Sequence, residues 1–270
     1  MQMSDLFHTG LLEGKVALIT GGGTGIGLVI ARSLGQVGAH VVLAARDAER
    51  LAAASDQLGT EGIKSSWTTL NIRDADQVGQ TVDSVVEQHG HVDLLINNAG
   101  GQFPVKAEEL SPGGWRAVVD LNLNGTFYCT RAVGRHMIGS GRGGKIVSIV
   151  LNTHERPMAG MVHSGAARAG VVSMTKTLAV EWAPFGIQVN AIGPLYLSPA
   201  AQSVYGEHVD AVVSRGTPAG RWATDAEMGG WAVVLCSPLA DYVSGVTLPL
   251  DGANALDGGL RWRGSPVLPE

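Results

Sequence analysis

A glycine-rich turn between an apolar run and an amphipathic stretch restricts the fold of this chain more than any other feature. The run KVALIT (Lys15 to Thr20) is short and rich in β-branched residues, which is typical of a strand buried on both faces. The turn TGGGTGIG follows, and GLVIARSLGQVG then shows helical spacing and ends at Gly38, a suitable helix cap. HVVLAAR (His40 to Arg46) completes a strand–helix–strand unit. This unit predicts a parallel sheet with helices packed on its faces.

The same alternation continues along the chain. Further predicted strands are SSWTTLNI, VDLLINNAG, KIVSIV, IQVNAIGP and GVTLPLDG, and the helical stretches between them include DADQVGQTVDSVVEQHG and GWRAVVDLNLNGTFYCTRAVGRHMI. We therefore predict an α/β fold, a Rossmann-type doubly wound parallel sheet of about seven strands with helices on both faces. No linker or composition shift divides the chain, so residues 1–270 are expected to form a single domain. The weakly periodic segment from Leu197 to Gly220 is expected to be a lid or a short helical insert.

Composition excludes several classes of protein. Apolar residues are 45% and charged residues 16% of the 270, which is typical of a folded globular protein. The net charge of -5, without a basic stripe, argues against a nucleic-acid partner. The longest apolar runs, such as HVVLAA and WAVVLC, are far shorter than the roughly 20 residues of a membrane span. We expect no membrane partner and, since no secretion signal is visible, a cytoplasmic location.

The cysteines and the His-x-His pair do not predict a metal site. Cys129 and Cys236 lie in apolar surroundings without metal-ligand spacing, so buried thiols in a reducing compartment are expected. His89 and His91, at a predicted helix end, lack the carboxylate or Cys company of a metal site.

The glycine-rich turn predicts nucleotide binding. Glycines allow the backbone to turn tightly and to approach a pyrophosphate, while the helix N-terminus offers N–H donors and a positive dipole end. The predicted cofactor-binding residues of this turn are Gly21, Gly23, Thr24, Gly25, Ile26 and Gly27.

The spacing of these glycines resembles that of the short-chain dehydrogenases/reductases. NNAG (Asn97 to Gly100), NLNG (Asn122 to Gly125) and NAIGP are similar to further landmarks of that family in order and spacing, and the resemblance covers roughly Leu12 to Ala253. It implies a nicotinamide cofactor, a homotetramer and a catalytic role for Asn122, for which a helix-kinking or capping polar residue is the alternative. The further cofactor contacts that it implies are Asn71, Ile72, Asn98, Ala99, Gly100 and Pro194.

The end of the second strand predicts the choice of cofactor. An acidic residue there would bind a free 2′-hydroxyl of the ribose, but this chain has Ala45 followed by Arg46. A guanidinium favours a 2′-phosphate, so NADP(H) is predicted. The alternative is that Arg46 pairs with Asp47 or Glu49.

The usual catalytic residues of the family are missing. The resemblance implies a tyrosine that begins the helix HSGAARAGVVSMTKTLAVEW, a lysine four residues later and a serine thirteen residues earlier; this count gives His163, Ala167 and Val150. Lys176 is half a turn away from Ala167, and Arg168 lies about 100° around the helix from it, so neither is expected to replace the lysine.

Reduction of a conjugated C=C bond fits the residues that remain. Hydride at C3 of a 2-enoyl thioester builds charge on the thioester oxygen, which hydrogen-bond donors can stabilise, and no tyrosinate is needed. His163 is the predicted donor and Asn122 the group that positions water or the oxygen. NAGGQF, GTFY, HSGAARAGV and EWAPFGIQVN resemble the peroxisomal trans-2-enoyl-CoA reductases and the neighbouring 2,4-dienoyl-CoA reductases, although Val172 stands where that branch often has tyrosine.

We therefore predict an NADPH-dependent enoyl-CoA reductase of fatty-acid metabolism with an acyl-CoA substrate. A carbonyl reductase that uses His163 as acid and a nucleotide-binding protein without turnover remain alternatives. Leu195, Tyr196 and Leu197 are predicted to form an apolar pocket wall, with Tyr196 as a further donor or a packed core residue. Arg156 and Arg215 are candidates for holding CoA phosphates by loop position.

Overall fold

Seven parallel strands form one sheet in the computed structural model, which describes residues 3–151, 157–197, 202, 210, 213 and 216–256. The strands are β1 (Val16–Thr20), β2 (His40–Ala45), β3 (Ser65–Thr69), β4 (Leu94–Asn97), β5 (Gly144–Ile149), β6 (Ile187–Pro194) and β7 (Thr247–Leu250). They lie in the order β3-β2-β1-β4-β5-β6-β7, and every neighbouring pair is parallel. The predicted doubly wound α/β sheet is confirmed.

Helices of the described chain cover both faces of this sheet. They are α1 (Gly25–Gln36), α2 (Ala48–Thr60), α3 (Ala75–His89), α4 (Pro112–Val119), α5 (Gly125–Ser140), α6 (Val162–Trp182) and α7 (Asp225–Cys236). Several begin and end at residues that satisfy the free backbone groups. The carboxylate of Asp74 accepts from the N–H groups of Asp76 and Gln77 at the start of α3, and Gly90, with φ of 81°, closes it.

The alternation of side chains along each strand divides the core in two. Ile19 packs with the apolar sides of α1, α2 and α7, whereas its neighbour Leu18 packs with α3, α5 and α6 on the opposite face. Both side chains are fully buried. Burying each such side chain contributes about 1.5–3 kcal/mol to folding. Because both faces of the sheet are covered, the strands read as nearly continuous apolar runs.

One predicted helix is interrupted. The stretch GWRAVVDLNLNGTFYCTRAVGRHMI, predicted as one helical segment, forms α4 and α5 with a π-helical turn, Asp120–Asn124, between them. The hydroxyl of Thr126, in the first turn of α5, donates to the carbonyl oxygen of Asn122 at 2.9 Å. The wider π-helical turn places the side-chain amide of Asn122 against the loop that follows β4.

The strand order creates a crevice. From β1 the chain proceeds to β2 and β3 on one side, and then returns to β4 on the other side of β1. Loops after β1 and β4 therefore diverge at the carboxyl ends of these strands, which is where ligands bind in open α/β sheets. Most of the predicted lid segment, Leu197 to Gly220, lies outside the described residues.

The two cysteines are free and buried, and burial raises the pKa of each thiol to about 12. Neither thiol is therefore activated as a nucleophile. None of the described helices has the length and apolar character to cross a bilayer.

Candidate active site

A cavity of about 1050 Å³ opens at the carboxyl ends of the central strands. Most of the predicted cofactor-binding residues line it: Gly21, Gly23, Thr24, Gly25, Ile26, Arg46, Asn71, Ile72, Asn98, Ala99, Gly100 and Pro194. The predicted substrate residue Tyr196 lies in the same wall, as does Leu195. The residues predicted from the sequence therefore lie together around one cavity, and their contacts with a cofactor stay a prediction.

The glycines of the turn after β1 are required by the backbone. Gly21 has φ of 66° and Gly25 has φ of 53°, in the left-handed region that favours glycine. A β-carbon on Gly27 would collide with the carbonyl oxygen of Gly21 and lie 2.6 Å from Nδ2 of Asn98. Gly27 thus lies behind the turn, where it allows α1 to pack closely on the loop, and does not line the cavity.

A polar network fixes this turn to the end of β4. The hydroxyl of Thr20 accepts the N–H groups of Asn98 and Ala99 at 3.0 and 3.1 Å, and donates to the carbonyl oxygen of Ile96 at 3.3 Å. The side chain of Asn98 donates to the carbonyl oxygens of Thr20 and Gly21, each at 3.1 Å. The cradle is therefore held rigidly, with a backbone surface that fits a dinucleotide phosphate group.

The cation at the end of β2 is available to a ligand. Arg46 is exposed at the rim of the cavity, and no ion pair or hydrogen bond connects it to another described residue. The carboxylate of Asp47 instead caps α2 through the N–H of Arg50 and pairs with the guanidinium of Arg50 at 3.1 Å. The alternative in which Arg46 pairs with Asp47 or Glu49 is therefore not seen.

His163 does not line the cavity. It is 0% exposed, its Nδ1 accepts the N–H of Ser164 at 2.8 Å, and its ring packs edge-on against Phe103 with a centroid distance of 4.8 Å. Its Nε2 is buried and has no hydrogen-bond partner among the described residues. This geometry does not favour the catalytic role predicted for His163, because the ring is directed into packed structure.

Asn122 supports the cavity wall from behind. Its side chain accepts the N–H of Gly101 at 3.1 Å and donates to the carbonyl oxygen of Gly101 at 2.7 Å. The residue is 0% exposed and does not itself line the cavity. In this structure Asn122 therefore shapes the loop that follows Gly100, and its predicted direct role toward substrate or water stays a prediction.

Helix α6 turns Arg168 toward the cavity and not the residues that the sequence predicted. Arg168 lines the cavity, whereas Ala167 is packed in the buried side of the helix and Lys176 is exposed. Four residues before Arg168 is Ser164, whose hydroxyl donates to the side-chain oxygen of Gln102, another cavity residue. Arg168 lies on a different face from Ala167, as expected, but this is the face that lines the cavity, because the four-residue spacing runs from Ser164 and not from His163.

Arg168 brings a buried positive charge to the wall. The residue is 8% exposed, and Nη1 donates to the carbonyl oxygen of Ile149, at the end of β5, over 2.9 Å. Its Nε is buried without a partner among the described residues. Burial lowers the pKa of the guanidinium to about 10, so it remains charged at neutral pH.

Tyr196 offers no acid to the cavity in this arrangement. Its hydroxyl donates to Oδ1 of Asp225 at 2.6 Å, and burial together with that carboxylate raises the pKa of Tyr196. A tyrosine that acts as a proton-transfer group needs the opposite shift. The structure thus shows Tyr196 as a wall residue with an occupied hydroxyl.

The far half of the cavity is mainly apolar and was largely missed from the sequence. Its lining includes Val150, Leu151, Met158, Leu195, Val213 and Trp222, together with the polar Asp251 and Asn254. These residues come from separate loops that carry no recognisable motif. Arg156 and Arg215, suggested for CoA phosphates, lie outside the described residues.

His40, His89 and His91 line a small pocket at the opposite, amino-terminal ends of the strands. His91 contacts Oδ2 of Asp93 at 2.9 Å, so a carboxylate does accompany it, and the rings of His40 and His89 are 4.5 Å apart. Within the described ranges, no group of three or more His, Cys, Asp or Glu residues is arranged to hold a metal ion.

The fold and the site define a class: an oxidoreductase with a Rossmann-type cradle for a nicotinamide dinucleotide. A family profile described as short chain dehydrogenase matches residues 15–209. The chain belongs to the short-chain dehydrogenase family.

Relatives within this family differ in their named reactions. A Bacillus subtilis protein named "Probable 2,4-dienoyl-CoA reductase", producing (2E)-enoyl-CoA, is 36% identical over 250 residues, 91% of this chain and 98% of that protein. Gluconate 5-dehydrogenase of Gluconobacter oxydans is 37% identical over 254 residues, 93% and 98% of the two chains. The crystal structure of a gluconate 5-dehydrogenase from Burkholderia cenocepacia with NADP and tartrate superposes with a TM-score of 0.87 at 33% identity, covering 93% of this chain and 99% of that one.

Proposed function

We propose that this protein uses NADPH to reduce the C2=C3 double bond of trans-2-enoyl-CoA thioesters, with 2,4-dienoyl-CoA thioesters as related substrates. The supporting relatives are proteins named dienoyl-CoA reductases. The support for NADPH is the free guanidinium of Arg46 at the end of β2 and the NADP complex of a relative. The cytoplasmic location and the homotetramer predicted from the sequence stay predictions.

The observation that carries this proposal is the chemistry of the cavity wall. Where a tyrosine and a lysine would handle a proton on oxygen, the four-residue pair is Ser164 and Arg168, and the hydroxyl of Ser164 is directed to Gln102. The wall tyrosine that the structure describes, Tyr196, has its hydroxyl on Asp225. A guanidinium does not release its proton at neutral pH, so this wall suits a reaction that builds negative charge without protonating oxygen through tyrosine.

The residues present fit the cofactor. The turn from Gly21 to Gly25 would cradle the pyrophosphate, Arg46 would face a 2′-phosphate, and Asn71 and Ile72 would flank the adenine. When bound, NADPH supplies hydride. The β-carbon of the thioester accepts that hydride with its electron pair, the electrons of the C=C bond move onto the thioester oxygen, and the resulting enolate takes a proton from water at the α-carbon.

A carbonyl reductase remains the second candidate, because the relatives named gluconate 5-dehydrogenase are as similar as those named dienoyl-CoA reductase. A substrate panel separates the two. Crotonyl-CoA through decenoyl-CoA and a 2,4-dienoyl-CoA are offered with NADPH, and 5-ketogluconate with NADPH forms the parallel arm; loss of NADPH absorbance is followed in each.

We expect turnover in the CoA arm and none with the keto acid. Turnover with 5-ketogluconate alone would contradict the proposal, and a rate that follows histidine protonation and collapses in His163→Ala would identify that histidine as the acid. NADPH binding without turnover in either arm would instead support a nucleotide-binding protein without activity.

A further inference from the structure

The guanidinium of Arg168 is a buried charge without an ion-pair partner among the described residues. Its one recorded hydrogen bond goes to the carbonyl oxygen of Ile149, no described carboxylate forms an ion pair with it, and its lowered pKa has burial as its cause. Burying a charge in this way is costly unless an anion compensates it. Because Arg168 also lines the cavity, a ligand in that cavity can provide the missing negative charge.

Two other buried charged groups of the described chain, Lys145 and Asp93, are compensated by ion pairs. Lys145, also 8% exposed, reaches Oδ1 of Asp241 at 2.5 Å. Asp93, 5% exposed, contacts Lys15 and His91 at 3.3 and 2.9 Å. Arg168 differs from both because its compensation is absent from its described neighbours.

The position of Arg168 indicates which part of a ligand it would meet. A β-carbon on Gly100 would collide with Nη2 of Arg168 and lie 2.7 Å from Oδ1 of Asn122, so glycine makes room for the guanidinium at the end of β4. Nη1 is fixed at the end of β5 through Ile149. The charge therefore lies between the nucleotide half of the cavity and the apolar half that contains Leu151 and Met158.

We propose that Arg168 binds and stabilises the enolate oxygen that develops on the substrate thioester. This inference rests on the proposed function and adds the group that carries its negative charge. Hydride arrives from the nucleotide half while the acyl chain lies in the apolar half, so the thioester oxygen develops its charge near their junction. A fixed cation in a water-poor site stabilises such charge more strongly than the neutral thioester, which is the requirement for catalysis.

Arginine has a specific consequence here. A lysine at this buried position would have its pKa lowered further into the working range and would lose its charge as the pH rises. Arg168, with a pKa of about 10, keeps its charge through neutral pH. Stabilisation of the enolate is thus expected to be independent of pH between about 6 and 9.

The test compares Arg168→Met and Arg168→Lys with a control, Lys176→Met, which removes an exposed cation from the same helix. Crotonyl-CoA reduction is measured from pH 6 to 9, and NADPH binding is measured by fluorescence. For Arg168→Met we expect kcat/KM to fall about 10²- to 10³-fold, as when one oxyanion donor is removed. NADPH affinity should change far less, and the urea midpoint should not fall. Compared with Arg168→Met, the variant Arg168→Lys should have a higher kcat/KM at low pH, and this gain should be lost as the pH rises.

A second measurement follows the enolate itself. Acetoacetyl-CoA is added with NADP⁺, and the ultraviolet band of its enolate is recorded; we expect wild type and Lys176→Met to shift its ionisation to lower pH, and Arg168→Met to abolish that shift. Equal losses of NADPH affinity and of kcat/KM in Arg168→Met would overturn the proposal and make Arg168 a cofactor-holding residue.

The proposed function and this inference fail in different ways. An inactive wild type on every enoyl-CoA contradicts the proposed function, and the acetoacetyl-CoA measurement then still decides whether Arg168 stabilises an enolate. An active wild type with an equally active Arg168→Met contradicts the role of Arg168 alone.

Discussion

Two buried charges lie at opposite ends of the strands, which we call the amino edge and the carboxyl edge of the sheet, and their surroundings differ. Asp93, before β4 at the amino ends of the strands, accepts the N–H of Val16 at 2.9 Å and has Lys15, His91 and Arg142 within 3.6 Å. Arg168, at the carboxyl ends, has a single recorded hydrogen bond, to a backbone carbonyl. The amino edge therefore uses its charges to hold strands together, whereas the carboxyl edge leaves a charge at the cavity without an ion-pair partner among the described residues.

The largest effect is expected from removing the carboxylate of Asp93 at the amino edge. Asp93→Ala leaves a backbone N–H and nearby cations without their acceptor, and we expect a loss of about 3–5 kcal/mol in the free energy of unfolding. Urea denaturation measures this loss. Asp83→Ala is the matched control, since Asp83 pairs with His136 on the surface and should change stability by less than about 1 kcal/mol. Equal effects of both substitutions would remove the contrast between the edges.

The next effect concerns the exposed cation of the carboxyl edge. Arg46→Asp should lower kcat/KM with NADPH about tenfold to hundredfold, which corresponds to losing a charge-assisted hydrogen bond of about 1.5–3 kcal/mol. The same change should improve activity with NADH, because a carboxylate accepts hydrogen bonds from a free ribose hydroxyl. Steady-state kinetics with both cofactors check this, with Lys64→Asp, at the amino edge, as the control of equal charge change. An unchanged cofactor preference would show that Arg46 does not contact the 2′-phosphate.

The smallest effect is a dependence of stability on pH, expected from the amino edge. Burial lowers the pKa of both His40 and His89 below 6.5. Neighbouring positive charge lowers each pKa further: His89 and Lys64 act on His40, and His91 acts on His89. Lys15 and Glu13 line the same small pocket. A histidine with a lowered pKa binds its proton more readily in the unfolded chain, so its contribution is complete above pH 6.5 and is lost as the pH falls below that value.

Urea midpoints at pH 8 and pH 5.5 measure this dependence. The urea midpoint of the wild type should be lower at pH 5.5 than at pH 8. His89→Gln should make this difference smaller. A variant that falls as steeply as the wild type would assign the acid sensitivity to other groups.

The nucleotide half of the site could be predicted because local chemistry determines it. Gly21 and Gly25 adopt positive φ, and Arg46 directly follows a strand whose apolar character is visible in the sequence. Such features depend on a few consecutive residues, so a single sequence contains them. The sheet could be predicted for the same reason, because each strand is a buried apolar run between turns.

The wall of the cavity around Arg168 and the apolar half could not be predicted in the same way. A shift of one residue along a helix rotates the face by about 100°, and that shift separates Ala167 in the core from Arg168 in the cavity. The rotation of α6 is fixed by packing against β6 and α4, which the sequence does not show. One signal was present: an arginine and a serine four residues apart in a helix of otherwise small and apolar residues.

Thr20 has a consequence for the range of sequences that this cradle tolerates. Its place at the end of a buried strand favours a β-branched side chain, and its hydroxyl accepts two N–H groups and donates to one carbonyl. Valine would keep the branch and lose all three hydrogen bonds, whereas serine would keep the hydroxyl and lose the branch. Two independent requirements meet in one side chain, so the genetic code offers this position a single residue that satisfies both.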